Sequence, residues 1–247
     1  MDFCEITNLS KKYYTKDGEI LAVDRFSLNI EKGKIIALVG PSGCGKSTIL
    51  SMLAGIETPT GGKIHFEKDN PVLGYMLQHD TLFDWLNVEE NAMLPLTLMK
   101  NKDSFLQFHV KHLIKTYGLE EYKKLYPRNL SGGMRQRVAL IRTLATKPDI
   151  LLLDESFSAL DYLSRLKVTE DVMRIIKAEN QTVIMVTHDI AEAISMADII
   201  VTLSSVPATI KNIYEVKLDN KSTPLNNRTD PKFSYYFEKI WRDLNEE

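Results

Sequence analysis

Residues 40–48 read GPSGCGKST, directly behind a short apolar run at residues 34–39 (KIIALV) and ahead of a stretch, residues 47–54, that can continue as a helix. That feature leaves little freedom of fold, because G-x-x-x-x-G-K-S between a buried strand and a helix is a turn built to hold an anion at the helix N-terminus. Gly40, Gly43 and Gly45 let the backbone wrap a phosphate without Cβ clashes, and Pro41, Ser42, Cys44 and Thr48 complete the cradle. Lys46 supplies a point charge, and Ser47 a hydroxyl for Mg2+. A glycine-rich turn that binds nothing is the alternative, and the flanking strand and helix weigh against it.

The rest of the chain supplies a frame for such a loop. Residues 150–153 (ILLL), 182–186 (TVIMV) and 199–203 (IIVTL) are further continuous apolar runs, as expected of parallel strands covered on both faces. Between them lie helical patterns such as Leu163, Leu166, Val172, Ile175 and Ile176, so strand and helix alternate and predict an α/β core. Near the start, Phe26, Leu28 and Ile30 alternate with Arg25, Ser27, Asn29 and Glu31, the period of an antiparallel sheet with one wet face. In the middle, Asp103 can cap a helix with the stripe Leu106, Val110, Leu113 and Tyr117, ended by Gly118, which predicts a helical insertion over 85–145. Asp230 and Pro231 can open a final helix whose stripe is Phe233, Tyr236, Phe237, Ile240 and Trp241, expected to pack on its own core. The polar stretch 219–227 (DNKSTPLNN) is the expected flexible link.

With 247 residues, 44% of them hydrophobic, the chain can bury one large domain with a subdomain inserted in it. A net charge of -2 gives no basic field, so nucleic acid is not an expected partner. Two cysteines, Cys4 and Cys44, are too few for a disulfide framework, which fits a reducing cytosol. The N-terminus lacks the basic and apolar segments of a signal peptide, and no apolar run reaches the ~18 residues needed to cross a bilayer. A membrane role is therefore expected to come through a partner.

Asp154 and Glu155 follow the ILLL run, so they leave together at a strand's carboxyl end, where ligands of open α/β sheets gather. Asp154 can reach Mg2+, and Glu155 can orient or deprotonate a water for attack on a γ-phosphate. Two acids after a strand are usually a solvated turn; the phosphate loop upstream reverses that reading. Residues 130–137 read LSGGMRQR, with Ser131, Gly132 and Gly133 opening a helix that can bury Val138, Ile141 and Ala145. Such an N-terminus is a second anion-binding end.

Here the sequence closely resembles the ABC transporter ATPase family, whose signature motif this is, and the resemblance covers residues 3–215. It implies a P-loop NTPase (RecA-like) core with an antiparallel β subdomain over 1–84 and 146–215, a helical subdomain over 85–145, and a tail over 216–247. It further implies that Tyr13, with Tyr14 as rival, stacks on adenine, and that Gln78 contacts Mg2+ and water. Ser158, Ala159, Leu160 and Asp161 match the loop that carries dimer contacts, and His188 matches the histidine that bonds the γ-phosphate. Ser156 stands where the family usually has proline, and Met134 where it often has glutamine. In this family two cassettes pack head to tail, so ATP on Lys46 of one is covered by Ser131, Gly132 and Gly133 of the other.

The partners implied are a second copy of the chain, membrane permease subunits and, indirectly, an extracytoplasmic solute-binding protein. The implied place is the cytoplasmic face of the membrane. Leu82, Phe83, Trp85 and Leu86 are candidates for the permease contact, with burial inside the subdomain as the alternative. LSGGMRQRVAL, LFDWLNVEEN and SSVPATI resemble the cassettes of nitrate, sulfonate and taurine importers. Importers of pyrimidine-type vitamin precursors, and ABC ATPases that move no solute, are the alternatives. The latter usually resemble two fused cassettes or carry a long coiled-coil insertion, and this sequence shows neither.

Overall fold

A computed structural model describes residues 2–245 apart from Asp17 and Ala159. In chain order it contains β1 (Asp2–Thr15), β2 (Gly18–Glu31), β3 (Ile35–Val39), α1 (Lys46–Leu53) and β4 (Gly61–Phe66). Then follow β5 (Leu73–Met76), α2 (Val88–Leu98), α3 (Ser104–Thr116), α4 (Gly132–Leu144), β6 (Ile150–Asp154) and α5 (Tyr162–Ala178). The last stretch holds β7 (Thr182–Thr187), α6 (Ile190–Met196), β8 (Ile199–Leu203), β9 (Ile210–Glu215), α7 (Pro224–Asn227) and α8 (Pro231–Asn245). These elements form two compact units, one of Met1–Pro71 with Asn180–Glu247, the other of Val72–Glu179.

In the first unit, β1 lies between β2 and β4 in an antiparallel sheet, with Cys4, Ile6 and Leu9 opposite Ile30, Leu28 and Phe26. Those six side chains are buried and their alternate neighbours Ser27, Asn29 and Glu31 are exposed, so the period-2 pattern set the register. The second layer is parallel: β3 pairs with β7 on one side and β8 on the other, and β9 closes against β8 in antiparallel sense. All of β3 and β7 is buried, as their unbroken apolar runs demand, with α1 packed on β7 and α6 on both β3 and β7. Burying a side chain such as Leu38 stabilises the fold by ~1.5–3 kcal/mol.

In the second unit, β5 and β6 pair in parallel, and α4 packs against β5, α2, α3 and α5. Val138, Ile141 and Ala145 are buried, as the sequence pattern predicts. Asp103 caps α3 by accepting from Phe105 N at 2.8 Å, and Gly118, at φ 70°, turns the chain beyond it. Asn87 and Glu90 close a reciprocal capping box on α2. The helices expected over 85–145 all lie in this unit, which reaches further, to include two strands and α5.

Two expectations fail at the C-terminal end. The polar stretch 219–227 is no flexible link: Asn227 is fully buried, donates through Nδ2 to Ser195 O at 2.7 Å and accepts from Ser222 N at 2.7 Å. Lys221 adds bonds to Ala197 O at 2.8 Å and Asp198 Oδ1 at 2.6 Å. Polar composition resembled solvation, but these groups satisfy the backbone at the end of α6. The stripe of α8 is only partly covered, because its packing against α6 and β8 buries Ile240 and half-buries Phe233 and Tyr236, while Phe237 and Trp241 remain 37% and 51% exposed. Among the described residues no helix is long and apolar enough to cross a membrane.

Candidate nucleotide-binding site

The loop between β3 and α1 has the form its spacing predicts. Gly45 sits at the helix N-cap in the left-handed region, φ 113°, and a Cβ there would lie 2.7 Å from Ala22 O, so no other residue fits. No side chain caps α1 and no acid lies in its first turn, which leaves that end suited to an anion. Lys46 is only 4% exposed; its Nζ donates to Gly40 O at 2.9 Å and Pro41 O at 2.8 Å, so the ammonium lies beneath the crest formed by exposed Pro41, Ser42 and Gly43. Ser47 is exposed and Thr48 half-buried, while Cys44 is buried and packs inward, so Cys44 offers a ligand its backbone and not its thiol.

His188 stands just past β7, whose Thr187 pairs with Val39, so His188 and Gly40 leave neighbouring strands at the same edge. Its side chain is exposed. Tyr13 and Tyr14 are consecutive on β1 and thus face opposite ways. Tyr14 is 73% exposed, whereas Tyr13 is half-buried with Lys11 Nζ 5.0 Å over its ring, and Lys11 is itself held by Glu57 Oε2 at 2.6 Å.

The second unit carries the acids. Asp154 ends β6, is nearly buried, and accepts at Oδ2 from Tyr75 Oη of β5 at 3.1 Å. Glu155 follows in a left-handed conformation, φ 44°, at the start of a turn laced to the end of β5. Ser156 Oγ donates to Met76 O at 3.2 Å, Ser158 Oγ to Glu155 O at 2.9 Å, and Gln78 Nε2 to Ser158 Oγ at 3.4 Å. Thus the serine that replaces the usual proline adds a bond a proline cannot make. Arg165 Nη2 holds Ser158 O and Leu160 O at 3.3 and 3.1 Å. Asp161 caps α5, and the bonds it receives from Ser164 hold its carboxyl below the usual carboxylate range. Ala159 lies outside the described residues.

Ser131 is the N-cap of α4 and accepts from Met134 N at 3.3 Å. A Cβ on Gly132 would come 3.1 Å from Leu160 Cδ2, and one on Gly133 3.1 Å from Val168 Cγ2, so the glycines also let the start of α4 approach the loop before α5 and α5 itself. Of the proposed permease-contact residues, Trp85 is 71% exposed and its ring lies 4.8 Å from that of the exposed Phe83, while Leu82 and Leu86 are half-buried. Beside them Leu86, Glu89, Glu90, Met93 and Leu94 line a cavity of about 440 Å³.

Ser47, Gln78 and Asp154 offer a hydroxyl, an amide oxygen and a carboxylate, the hard oxygen donors that suit Mg2+. No group of three or more His, Cys, Asp or Glu is gathered for a metal among the described residues. Sequence reasoning missed Tyr75 and Lys11, whose partners lie 79 and 46 residues away, and Arg165, which belongs to no motif.

Residues 23–158 match the ABC transporter family. The chain is 37% identical over 240 residues to the aliphatic sulfonates import ATP-binding protein SsuB of Bacillus anthracis, covering 95% of this chain and 93% of that protein. It is 35% identical over 246 residues to the nitrate import ATP-binding protein NrtD of a Synechocystis strain, covering 96% and 92%. Among solved structures it is similar to the ATP-binding cassette MJ0796, a dimer in a post-hydrolysis state bound to ADP and Pi, with a TM-score of 0.73 and 27% identity over 87% of this chain and 99% of that one. A family match over more than half of the chain and relatives of 35–37% identity along nearly its whole length show that the chain belongs to the ABC transporter family and is an ATPase.

Proposed function

We propose that this protein is the ATP-hydrolysing subunit of an importer for a small anionic solute of the nitrate, sulfonate or taurine kind. It works on the cytoplasmic face of the membrane, bound to permease subunits that a solute-binding protein feeds. The observation that carries this reading is the end-to-end similarity to SsuB and NrtD, which leaves no large segment of either partner unmatched. Exposed Phe83 and Trp85, beside the acid-rimmed cavity, support a permease contact between the segment after Gln78 and the helical subdomain, residues 85–145, which is set between core segments 1–84 and 146–215 and followed by the tail, 216–247.

In the site we assign Tyr13 to the adenine, and the loop Gly40 to Thr48 with Lys46 to the phosphates. Ser47, Gln78 and Asp154 would hold Mg2+, which when bound would supply charge neutralisation on the phosphate oxygens. Glu155 orients the attacking water and takes its proton as the new O–P bond forms and the bond from the γ-phosphorus to ADP breaks. His188 and Gln78 steady the γ-phosphate and that water. A second copy, packed head to tail, supplies Ser131, Gly132 and Gly133 over the same ATP, with residues 158–161 at the seam. Each site is then composite, so binding ATP favours the closed pair and hydrolysis releases it.

The test is uptake by cells that lack this subunit. The intact chain should restore accumulation of at least one of nitrate, taurine or an alkanesulfonate, and Glu155→Gln should not. Failure to restore any of the three would remove the cargo assignment, and full restoration by Glu155→Gln would remove the role of Glu155.

A further inference from the structure

The segment after Gln78 is fastened to α4 by two arginines that no role above employs. Arg142 Nη1 donates to Thr81 O at 2.9 Å, and its Nη2 to Asp80 O at 2.7 Å and Thr81 Oγ1 at 3.0 Å. Seven residues earlier, on the same helix face, Arg135 Nε donates to Asp80 Oδ2 at 2.9 Å and Nη1 to Leu130 O at 2.9 Å. The other oxygen of Asp80 accepts from Leu82 N at 3.3 Å. Every polar oxygen of Asp80 and Thr81 is therefore engaged, four of the five by α4.

Two details argue that this is more than a surface ion pair. Thr81 is a β-branched residue at φ 46°, a conformation it keeps only when its surroundings fix it, and Arg142 binds both its carbonyl and its hydroxyl. Burial also pulls the pKa of the Arg142 guanidinium below the ordinary arginine value, and its bond to Asp80 O is partly buried. Arg135 ties the same turn to Leu130, the residue immediately before the N-cap Ser131. Asp80 and Thr81, just after Gln78, thus share one set of charged hydrogen bonds with the first and last turns of α4.

We propose that Arg135 and Arg142 are positioning residues of the ATPase: from the first and last turns of α4 they hold Asp80 and Thr81, so that Gln78, two residues before, and Ser131, the cap of α4, move as one piece when nucleotide arrives. The inference rests on the reading that Gln78 and Ser131 meet nucleotide. Neither arginine touches the reacting atoms. The fork of Arg142 reaches three oxygens through two nitrogens, a pattern that a lysine ammonium, a single point charge, does not reproduce.

A double-mutant cycle on the full chain tests this, using steady-state ATPase rates of Gln78→Ala, Arg142→Met, Arg142→Lys and the Gln78→Ala/Arg142→Met pair. Arg142→Met should lower kcat about tenfold or more with KM for ATP within about threefold. Arg142→Lys should fail to rescue it, and the pair should be no slower than the slower single variant, because residues acting through one another do not add. Losses that multiply, full activity of Arg142→Lys, or a kcat for Arg142→Met within about twofold of the parent would overturn the proposal. If Gln78→Ala alone keeps full activity, the reading of Gln78 falls and takes this inference with it, an outcome visible in that single variant. Should Arg142→Met not fold, as judged by its melting curve, Arg135→Gln at the more open end of the clamp enters the same cycle with the same expectations.

Discussion

At the carboxyl end of β6, Asp154 and Glu155 are neighbours with the same functional group and different surroundings. Asp154 is nearly buried and receives the Tyr75 hydroxyl, which fixes one carboxylate oxygen and suits a static ligand. Glu155 sits in a strained left-handed turn that costs roughly 1 kcal/mol or more, and that turn is what separates its side chain from the direction of the strand. The difference predicts different losses. Glu155→Gln should bind ATP with unchanged affinity and lose about a hundredfold or more in kcat, as removal of a general base does. Tyr75→Phe should lose only about tenfold, since a hydrogen bond to a charged group contributes ~1.5–3 kcal/mol and this one positions Asp154 without touching a reacting atom. Steady-state rates together with equilibrium nucleotide binding separate the two; equal losses would show that the acids are not divided in this way. Spacing made Asp154, Glu155, Lys46 and Ser131 legible in the sequence. Tyr75 was not, because its partner lies 79 residues away and a tyrosine in a strand reads as filling.

The elements that declared themselves were those with a strict period: β2 by alternation, β3, β6 and β7 by unbroken apolar runs, α3 by its cap and terminal glycine. The polar stretch 219–227 did not, because there polar side chains do the packing. Asn227 is buried at a position where composition suggested a solvated linker, and its amide joins α7 to the last turn of α6, the helix that begins two residues after His188. Asn227→Ala leaves Ser195 O and Ser222 N without these partners, at a cost of ~1–3 kcal/mol, which should lower Tm by roughly 2–10 °C. A Tm unchanged within about 1 °C would mean that water replaces the amide and that the tail is a linker after all. The half-covered stripe of α8 teaches the same lesson from the other side: a helical period shows which face is apolar, not how much of that face the rest of the fold can reach.

For the whole molecule the question is whether the start of α4, Ser131 with Gly132 and Gly133, covers the phosphate loop of a second copy, as proposed. Ser131 is exposed, and so are Tyr162 and Leu163 at the start of α5, an apolar pair next to the loop assigned to the dimer seam. A ligand that bridges two copies stabilises the pair by an amount set by its excess over Kd, ~2.7 kcal/mol at a hundredfold excess, so the dimer should appear only with nucleotide and only while hydrolysis is blocked. Glu155→Gln with saturating Mg-ATP should therefore elute at about twice the monomer mass and return to monomer when ATP is removed. Ser131→Arg in the same background should still bind ATP on its own phosphate loop yet stay monomeric, because a bulky cation at the cap of α4 fills the space the partner's γ-phosphate needs. If the double variant dimerises as well as Glu155→Gln, the start of α4 is not the lid of the neighbouring site. If neither dimerises in free solution but both do when bound to a permease, the membrane subunits hold the pair and Ser131 has no part in closing it.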